Sequence, residues 1–433
     1  LAKENPQVYE PYIAMTLNNL GGVYSDTRRF EESEQTYLQE LEMRKRFAQE
    51  DPQAYWPDVA RTLNNLASLY FDTKRYEEST EKYKEALEIR RKLAEENPQA
   101  YLPDVAMTLN NLTTLYHNTK QYTESENSGN EALKLYRELA MENPSLYNSN
   151  VAFTLNNLAS IYYGTRKFVE AEEKFKEAIA AYRSLAMEEP QKYEADVARS
   201  LSNLASLYSD TKRYAQSDTL YNEVLEIRKK LMAEKPELHE QSVAITYYNI
   251  GLLQMRYQRY EKAIAAFEGA ITLYRELARK EPLIQQHYTI TLKWLIQLYK
   301  NYGESAKGYA VYEEYMPIIK QNYEKHTGLY EKEYIKALAY HTQQCFTMNE
   351  FAKAETYIRE EARINPTNLQ TIRDLVIALV LQEKYAEAEE MYMKYRPHLK
   401  EQFKEDLKKY KKLKKITKIH KKGLKRINQI LDD

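Results

Sequence analysis

A single cysteine, Cys345, stands in 433 residues, so no intrachain disulfide framework can hold the fold, and a reducing, cytoplasmic compartment fits. The seven histidines are scattered, with no pair at helical metal-ligand spacing, and Cys345 has no second thiol for a structural zinc site. Glycine is scarce, and neither G-x-G-x-x-G nor G-x-x-x-x-G-K followed by Ser or Thr occurs, so nothing is built to cradle a nucleotide phosphate. No apolar run approaches the roughly 18 residues that cross a bilayer, and no signal peptide is expected. Cys345 sits in QQCFTM, a first-helix setting that suits a small core residue better than a nucleophile. No carboxylate pair stands out from the glutamates of solvated faces. Neither a cofactor nor catalysis is expected.

What is present is repetition. The stretch PDVARTLNNLASLYFDTKRY, residues 57–76, returns as PDVAMTLNNLTTLYHNTKQY at 103–122, and more loosely from Asn150, Asp196 and Ser242. Pro6, Pro52, Pro98, Pro144, Pro190, Pro236 and Pro282 keep a spacing of 46 residues. A fixed period of that size marks a stacked-repeat architecture, whose core grows with the number of repeats. Leu1–Tyr12 matches Leu93–Asp104, so the sequence opens inside a repeat, and further repeats or another domain are expected before it.

Each unit reads as two helices. Val59, Leu63, Leu66 and Tyr70 recur at steps of four, three and four, one face of a first helix. Asp58, Asp104, Asn150, Asp196 and Ser242 share one register position and are expected to be its N-caps. Asp72, Asn118, Gly164 and Asp210 are expected to mark the turn, where left-handed backbone is tolerated. A second helix should start near Tyr76, turn Ser79, Tyr83, Ala86, Leu93 and the aliphatic stem of Arg90 inward, and stop about Glu96, before Pro98. No strand pattern appears, so the class is all-α.

The spacing Leu63-x-x-Leu66-Ala67-x-x-Tyr70, followed by Ser79-x-x-x-Tyr83, resembles the tetratricopeptide repeat (TPR), with Leu for its Trp and Ala for its Gly. Ala171-x-x-x-Phe175, Ala263-x-x-x-Phe267 and Gly251 match more literally. The TNNLA-type helix and the stretch Glu85–Ala94 are similar to the long repeats of the kinesin light chain group. The resemblance implies a right-handed superhelix of about nine helix-turn-helix repeats. Residues 1–282 would hold six long repeats, 283–328 a divergent one with Trp294, and 329–397 two of ordinary length. In the last pair Phe351, Ala354 and Glu355 recur as Tyr385, Ala388 and Glu389. The change of period at His326-Thr327-Gly328 is the expected internal joint. Residues 398–433, with thirteen Lys and Arg against five Asp and Glu, would form a basic capping helix.

In such arrays the first helices line an inner, concave surface, which the resemblance implies is the binding face. One position is asparagine in six copies: Asn19, Asn65, Asn111, Asn157, Asn203 and Asn249. An amide both donates and accepts, so this ladder fits the backbone of an extended peptide, or else it bonds successive helices. Positions that vary between copies place Arg61, Phe71, His117, Phe153, Tyr163 and Arg199 as candidates for selectivity. The function expected is a non-catalytic scaffold or adaptor that captures a protein or peptide segment. A sensory or regulatory module of a larger signalling protein, with its effector before Leu1, is the first alternative. The other is nucleic-acid or membrane-surface binding through the basic tail, although Tyr410 alone interrupts the basic run with an aromatic ring, too few for base stacking.

Overall fold

The computed structural model describes residues 6–395, and all regular structure among them is helical. The first helices are α1 (Pro6–Asp26), α3 (Pro52–Asp72), α5 (Pro98–Asn118), α7 (Pro144–Gly164), α9 (Pro190–Asp210) and α11 (Pro236–Arg256). Their partners are α2 (Phe30–Glu50), α4 (Tyr76–Glu96), α6 (Tyr122–Glu142), α8 (Phe168–Glu188), α10 (Tyr214–Glu234) and α12 (Tyr260–Lys280). A 3-10 turn, Pro282–Ile284, leads to α13 (Gln285–Tyr302), α14 (Ser305–Lys325), α15 (Thr327–Met348), α16 (Phe351–Ile364) and α17 (Leu369–Leu381). Residues 385–395 are helical again. The all-α chain of about nine sequential helix pairs is therefore as the sequence implied. The expected joint is one residue, His326, between α14 and α15. The expected capping helix falls on residues outside the described ones.

Two expected boundaries are wrong, each for a physical reason. The first helix begins at Pro52, six residues before Asp58, because proline at N1 lacks only an N–H that has no partner there anyway. Asp51 and Asn97 are the true caps, accepting from the amides of Ala54 (3.2 Å) and Ala100 (3.3 Å). Pro57 and Pro103 lie inside their helices. The left-handed turn residue comes two positions later than Asp72: Arg28, Lys74, Lys120, Arg166 and Lys212 all have φ near +60°. The Arg75 amide donates to the Tyr70 carbonyl (2.8 Å) and the Lys74 amide to that of Phe71 (3.0 Å), the paired bonds of a Schellman turn. That three-residue turn, and single linking residues such as Asn97, join 21-residue helices and so set the period.

Two compact units make up the chain, Leu1–His239 and Glu240–Asp433. In the first, α3, α5, α7 and α9 each pack between their own second helix and the one before. Val59, Ala60, Leu63, Leu66 and Ala67 are fully buried by that arrangement, each large side chain contributing about 2 kcal/mol. Ser79, Ser125 and Ser217 fasten the two helices of a pair, each donating to a first-helix carbonyl at 2.7 Å. On the outer side, Lys45–Glu85 (2.8 Å), Arg91–Glu131 (2.6 Å) and Arg183–Glu223 (2.5 Å) link successive second helices. These pairs are exposed and contribute register more than stability.

Arg90 does more than bury its stem. It is 1% exposed, and its guanidinium reaches across to the next first helix, donating to Thr108 Oγ1 (2.5 Å) and the Asp104 carbonyl (3.2 Å), and also donates to Asn64 Oδ1 of its own pair (3.4 Å). Arg44 does the same toward Asp58 Oδ2 at 2.5 Å. The Asp58 register position thus serves as the partner of a buried side chain rather than as a cap.

In the second unit, three glutamates each tie a helix to the next but one, with a tyrosine from the helix between. Glu314 of α14 takes Arg275 of α12 (2.6 Å) and Tyr288 of α13. Glu333 of α15 takes Lys293 of α13 and Tyr315 of α14 (2.7 Å). Glu360 of α16 takes Lys320 of α14 (2.8 Å) and Tyr334 of α15 (2.6 Å). Burial pushes these carboxyls up, but the cation and the hydroxyl pull harder, and all three lie below the usual carboxylate range.

Two predictions follow from this packing. Tyr136 and Tyr182 hold the Arg90 position in the next two repeats, so Arg90→Tyr should cost less than about 1 kcal/mol, whereas Arg90→Ala, which leaves a cavity and takes the donor from Thr108 Oγ1, should cost about 3 kcal/mol. Denaturant titration of each variant measures both. The lowered glutamates stabilise the second unit above their unfolded pKa of about 4.3 and lose that contribution as pH falls through their folded values. Glu333→Gln should therefore flatten the decline in melting temperature between pH 5 and pH 2.5; an unchanged decline would remove Glu333 from the account.

Candidate functional site

Successive first helices touch one another in the first unit: α1 meets α3, α3 meets α5, α5 meets α7 and α7 meets α9. Their shared surface carries the asparagine ladder. Residues 61, 65, 68 and 72 follow at steps of four, three and four, so the side chains of one stripe lie above one another on each helix. Asn19 is exposed, and Asn65, Asn111, Asn157 and Asn203 are half-buried; Asn249, on α11, is half-buried as well.

The ladder divides into two kinds of rung. Asn111 Nδ2 donates to Asn64 Oδ1 of the preceding repeat at 3.3 Å, and Asn203 Nδ2 to Asn156 Oδ1 at 3.5 Å. These amides bond successive helices, the second use the sequence allowed. Asn65 and Asn157 make no such bond within the chain, and their amides face the shared surface unengaged. The column just before the ladder is the buried one. Asn64, Asn110 and Asn156 are buried, and Asn110 Nδ2 donates to Thr154 Oγ1 of the following repeat at 2.8 Å.

Arg61 and Arg199 are half-exposed one turn above ladder residues, each held by the acid three residues before it, Asp58 and Asp196, at 2.6 Å. Arg199 also lies over the Phe153 ring, 5.8 Å from its centre, which joins two of the selectivity candidates across adjacent repeats. Phe153 is 40% exposed, a large ring left open to solvent on this surface. Phe71, His117 and Tyr163 sit apart from these, at the last turn of their helices. They pack on the first ring of the next helix: Phe71 on Tyr76 (5.9 Å), His117 on Tyr122 (5.9 Å) and Tyr163 on Phe168 (6.3 Å). Tyr163 also donates to Asp210 of the following repeat. Burial pushes the His117 imidazole pKa down.

A cleft of about 570 Å³ opens between α1 and α3, and it contains residues that sequence reading passed over. Its wall includes Met15, Asn18, Asn19, Arg44, Asp58 and Arg61. Behind it, Glu40 is fully buried, accepts from Asn18 Nδ2 at 2.8 Å and lies 3.7 Å from Arg44 Nε. Burial raises the Glu40 carboxyl against the pull of Asn18 and Arg44. The signal in the sequence was the shared register of Arg44 with Arg90 and of Asp58 with Asp104. Among the described residues no group of His, Cys, Asp and Glu is placed to hold a metal ion, and no helix is long and apolar enough to cross a membrane.

A tetratricopeptide repeat family model matches residues 12–92, 58–138, 104–184 and 196–276. No curated protein matches the sequence. Among solved structures, BtubC (BKLC) from P. vanneervenii is similar at 23% identity over 57% of this chain and 92% of that one, with a TM-score of 0.48. The apo form of RapI aligns at 16% identity over 75% of this chain and 99% of its own, with a TM-score of 0.44. A putative kinesin light chain from Podosopora anserina, with nearly identical TPR-like repeats, aligns at 16% identity over 50% of this chain and 96% of that one, TM-score 0.39.

The two kinds of rung predict two kinds of variant. Asn111→Ala and Asn203→Ala should each cost about 0.5–1 kcal/mol of stability, the net value of one hydrogen bond. Asn65→Ala and Asn157→Ala should melt within error of the wild type. Differential scanning calorimetry of the four single variants measures this, and equal losses in all four would contradict the division.

Proposed function

The chain belongs to the tetratricopeptide repeat family, and from that premise we propose that it is a non-catalytic scaffold or adaptor that captures a peptide or protein segment on its first-helix surface. The family mediates protein–protein interactions and is generally non-catalytic. The observation that carries the reading is the unengaged pair Asn65 and Asn157, two repeats apart on a surface flanked by Arg61, Phe153 and Arg199. Each free amide can donate to a peptide carbonyl and accept from a peptide N–H, which grips backbone without reading sequence. Selectivity falls to Arg61 and Arg199, which suit acidic groups, and to the open Phe153 ring, which suits an apolar one. Phe71, His117 and Tyr163 form the lower edge of the same surface. Asn19, Asn111 and Asn203 complete the ladder of the first unit in this reading, with Asn111 and Asn203 setting helix spacing as well, and Asn249 holds the same register position in the second unit. A preformed surface loses little freedom on binding, so affinity depends mainly on what the ligand loses. The single, buried thiol of Cys345 supports a cytoplasmic location.

The test is selection of random peptides displayed on phage against the full chain, followed by affinity measurement. Peptides enriched on the wild type should bind the Asn65→Ala/Asn157→Ala double variant at least tenfold more weakly, about 1.4 kcal/mol, with melting unchanged. Equal affinity for both proteins would remove the ladder from the site.

A further inference from the structure

The core of each first helix contains one aliphatic position that the chain keeps with a single exception. It lies eight residues before the left-handed turn residue: Leu66 before Lys74, Leu112 before Lys120, Leu158 before Arg166, Leu204 before Lys212. The second unit continues it with Ile250 before Gln258, Leu295 before Gly303 and Leu375 before Glu383. In α15 the same position, before Asn349, is His341. It is as buried as the leucines it replaces, at 0% exposure.

The surroundings of His341 differ from those of the leucines too. Its ring lies between two tyrosines of α14, parallel to Tyr309 at 5.1 Å and nearly so to Tyr312 at 5.4 Å. Tyr357 of α16 meets its edge at 4.4 Å. Nε2 donates to Glu313 Oε1 of α14 at 2.9 Å, which fixes the neutral tautomer, while Nδ1 is buried with no hydrogen-bond partner. The other groups facing this cage are Cys345 and Tyr340 on α15 itself, Lys353 on α16 and Glu350 just before it. Lys353 pairs with Glu350 (2.9 Å), lies 3.9 Å from Glu313 and donates to Tyr309 (3.3 Å). Cys345 Sγ is 3.9 Å from the Tyr309 hydroxyl.

We propose that His341 is an acid-sensitive joint, which holds α14, α15 and α16 packed while neutral and loosens them on mild acidification. Protonation would put a second N–H on the ring at Nδ1, where no acceptor is in reach, and a charge where seven other repeats bury an aliphatic chain. Glu313 and the tyrosine faces favour the cation, but Glu313 already shares its charge with Lys353. Burial, the largest influence, pushes the imidazole pKa down; Glu313 pulls it up, Lys353 pushes it down, and the balance is below the ordinary value. The sign follows. The unfolded chain takes up the proton first, so stability is fully present above about pH 6.5 and falls as pH drops toward the folded pKa. This window lies above that of the three paired glutamates, so the two effects separate.

Hydrogen exchange of the full chain at pH 7.5, 6.5 and 5.5, corrected for intrinsic rates, tests the joint. Peptides from α5–α7 serve as the internal reference, and His341→Leu and His341→Gln as variants that cannot titrate. In the wild type, protection of α14–α16 relative to α5–α7 should fall by about tenfold from pH 7.5 to pH 5.5, and in both variants it should not change. An unchanged wild-type ratio overturns the proposal, and so does an equal fall in the variants, which would assign the effect to another group. Should neither variant fold, the wild-type His341 imidazole titration by NMR decides: a midpoint below 6.5 supports the joint, and one at or above 6.5 overturns it.

Discussion

Every feature of this chain depends on one constraint: a first helix can bury its apolar face only between two second helices, its own and the one before. Val59, Leu66 and Leu69 meet that condition and are lost to solvent, at no more than 2% exposure. Ile13, Leu20 and Val23 hold the same register positions in α1, which packs against α2 and α3 without a second helix before it among the described residues. They are 40%, 38% and 55% exposed. The repeat is therefore not a folding unit by itself. It is a half-finished core that its neighbour completes.

Given that constraint, the polar contacts sort by position. Those inside a pair, such as Ser79 with the Ala67 carbonyl, fix how one second helix lies on its first helix. Those between pairs fix how repeats follow one another: Arg90 across to Thr108, Asn111 to Asn64, Lys45 to Glu85. Only what remains on the first-helix surface after both sets are satisfied is free to hold a ligand. That remainder is small. In the first unit it includes the Asn65 and Asn157 amides, the half-exposed Arg61 and Arg199, and the open Phe153 ring.

Much of this was legible in the sequence, and the failures have identifiable causes. The period, the pairing of helices and the span Tyr76–Glu96 follow from apolar spacing and from the proline beyond. The first-helix start was misplaced because Pro57 and Asp58 together imitate a helix boundary, while Pro52 at N1 is the real one. The turn was misplaced because lysine and arginine, not asparagine or glycine, adopt the left-handed backbone at Lys74 and Arg166, where the Schellman bonds compensate the strain. The family resemblance named the first-helix surface as a candidate but treated its asparagines alike. Which amides are spent on the fold depends on distances between repeats, and identical letters at positions 65 and 111 carry no trace of that. Nor does a lone histidine among leucines announce its tyrosine cage, since Tyr309 and Tyr357 lie on other helices.

The central claim is that the first-helix surface, and not the outer surface of the second helices, receives the partner. Site-specific photo-crosslinking inside cells tests it directly. A photoreactive residue replaces Phe153 on the first-helix surface in one protein and Lys134, an outward-facing residue of α6, in another. The account predicts a discrete crosslinked partner from position 153 that an excess of selected peptide removes, and none from position 134. A partner captured from position 134 alone would contradict it.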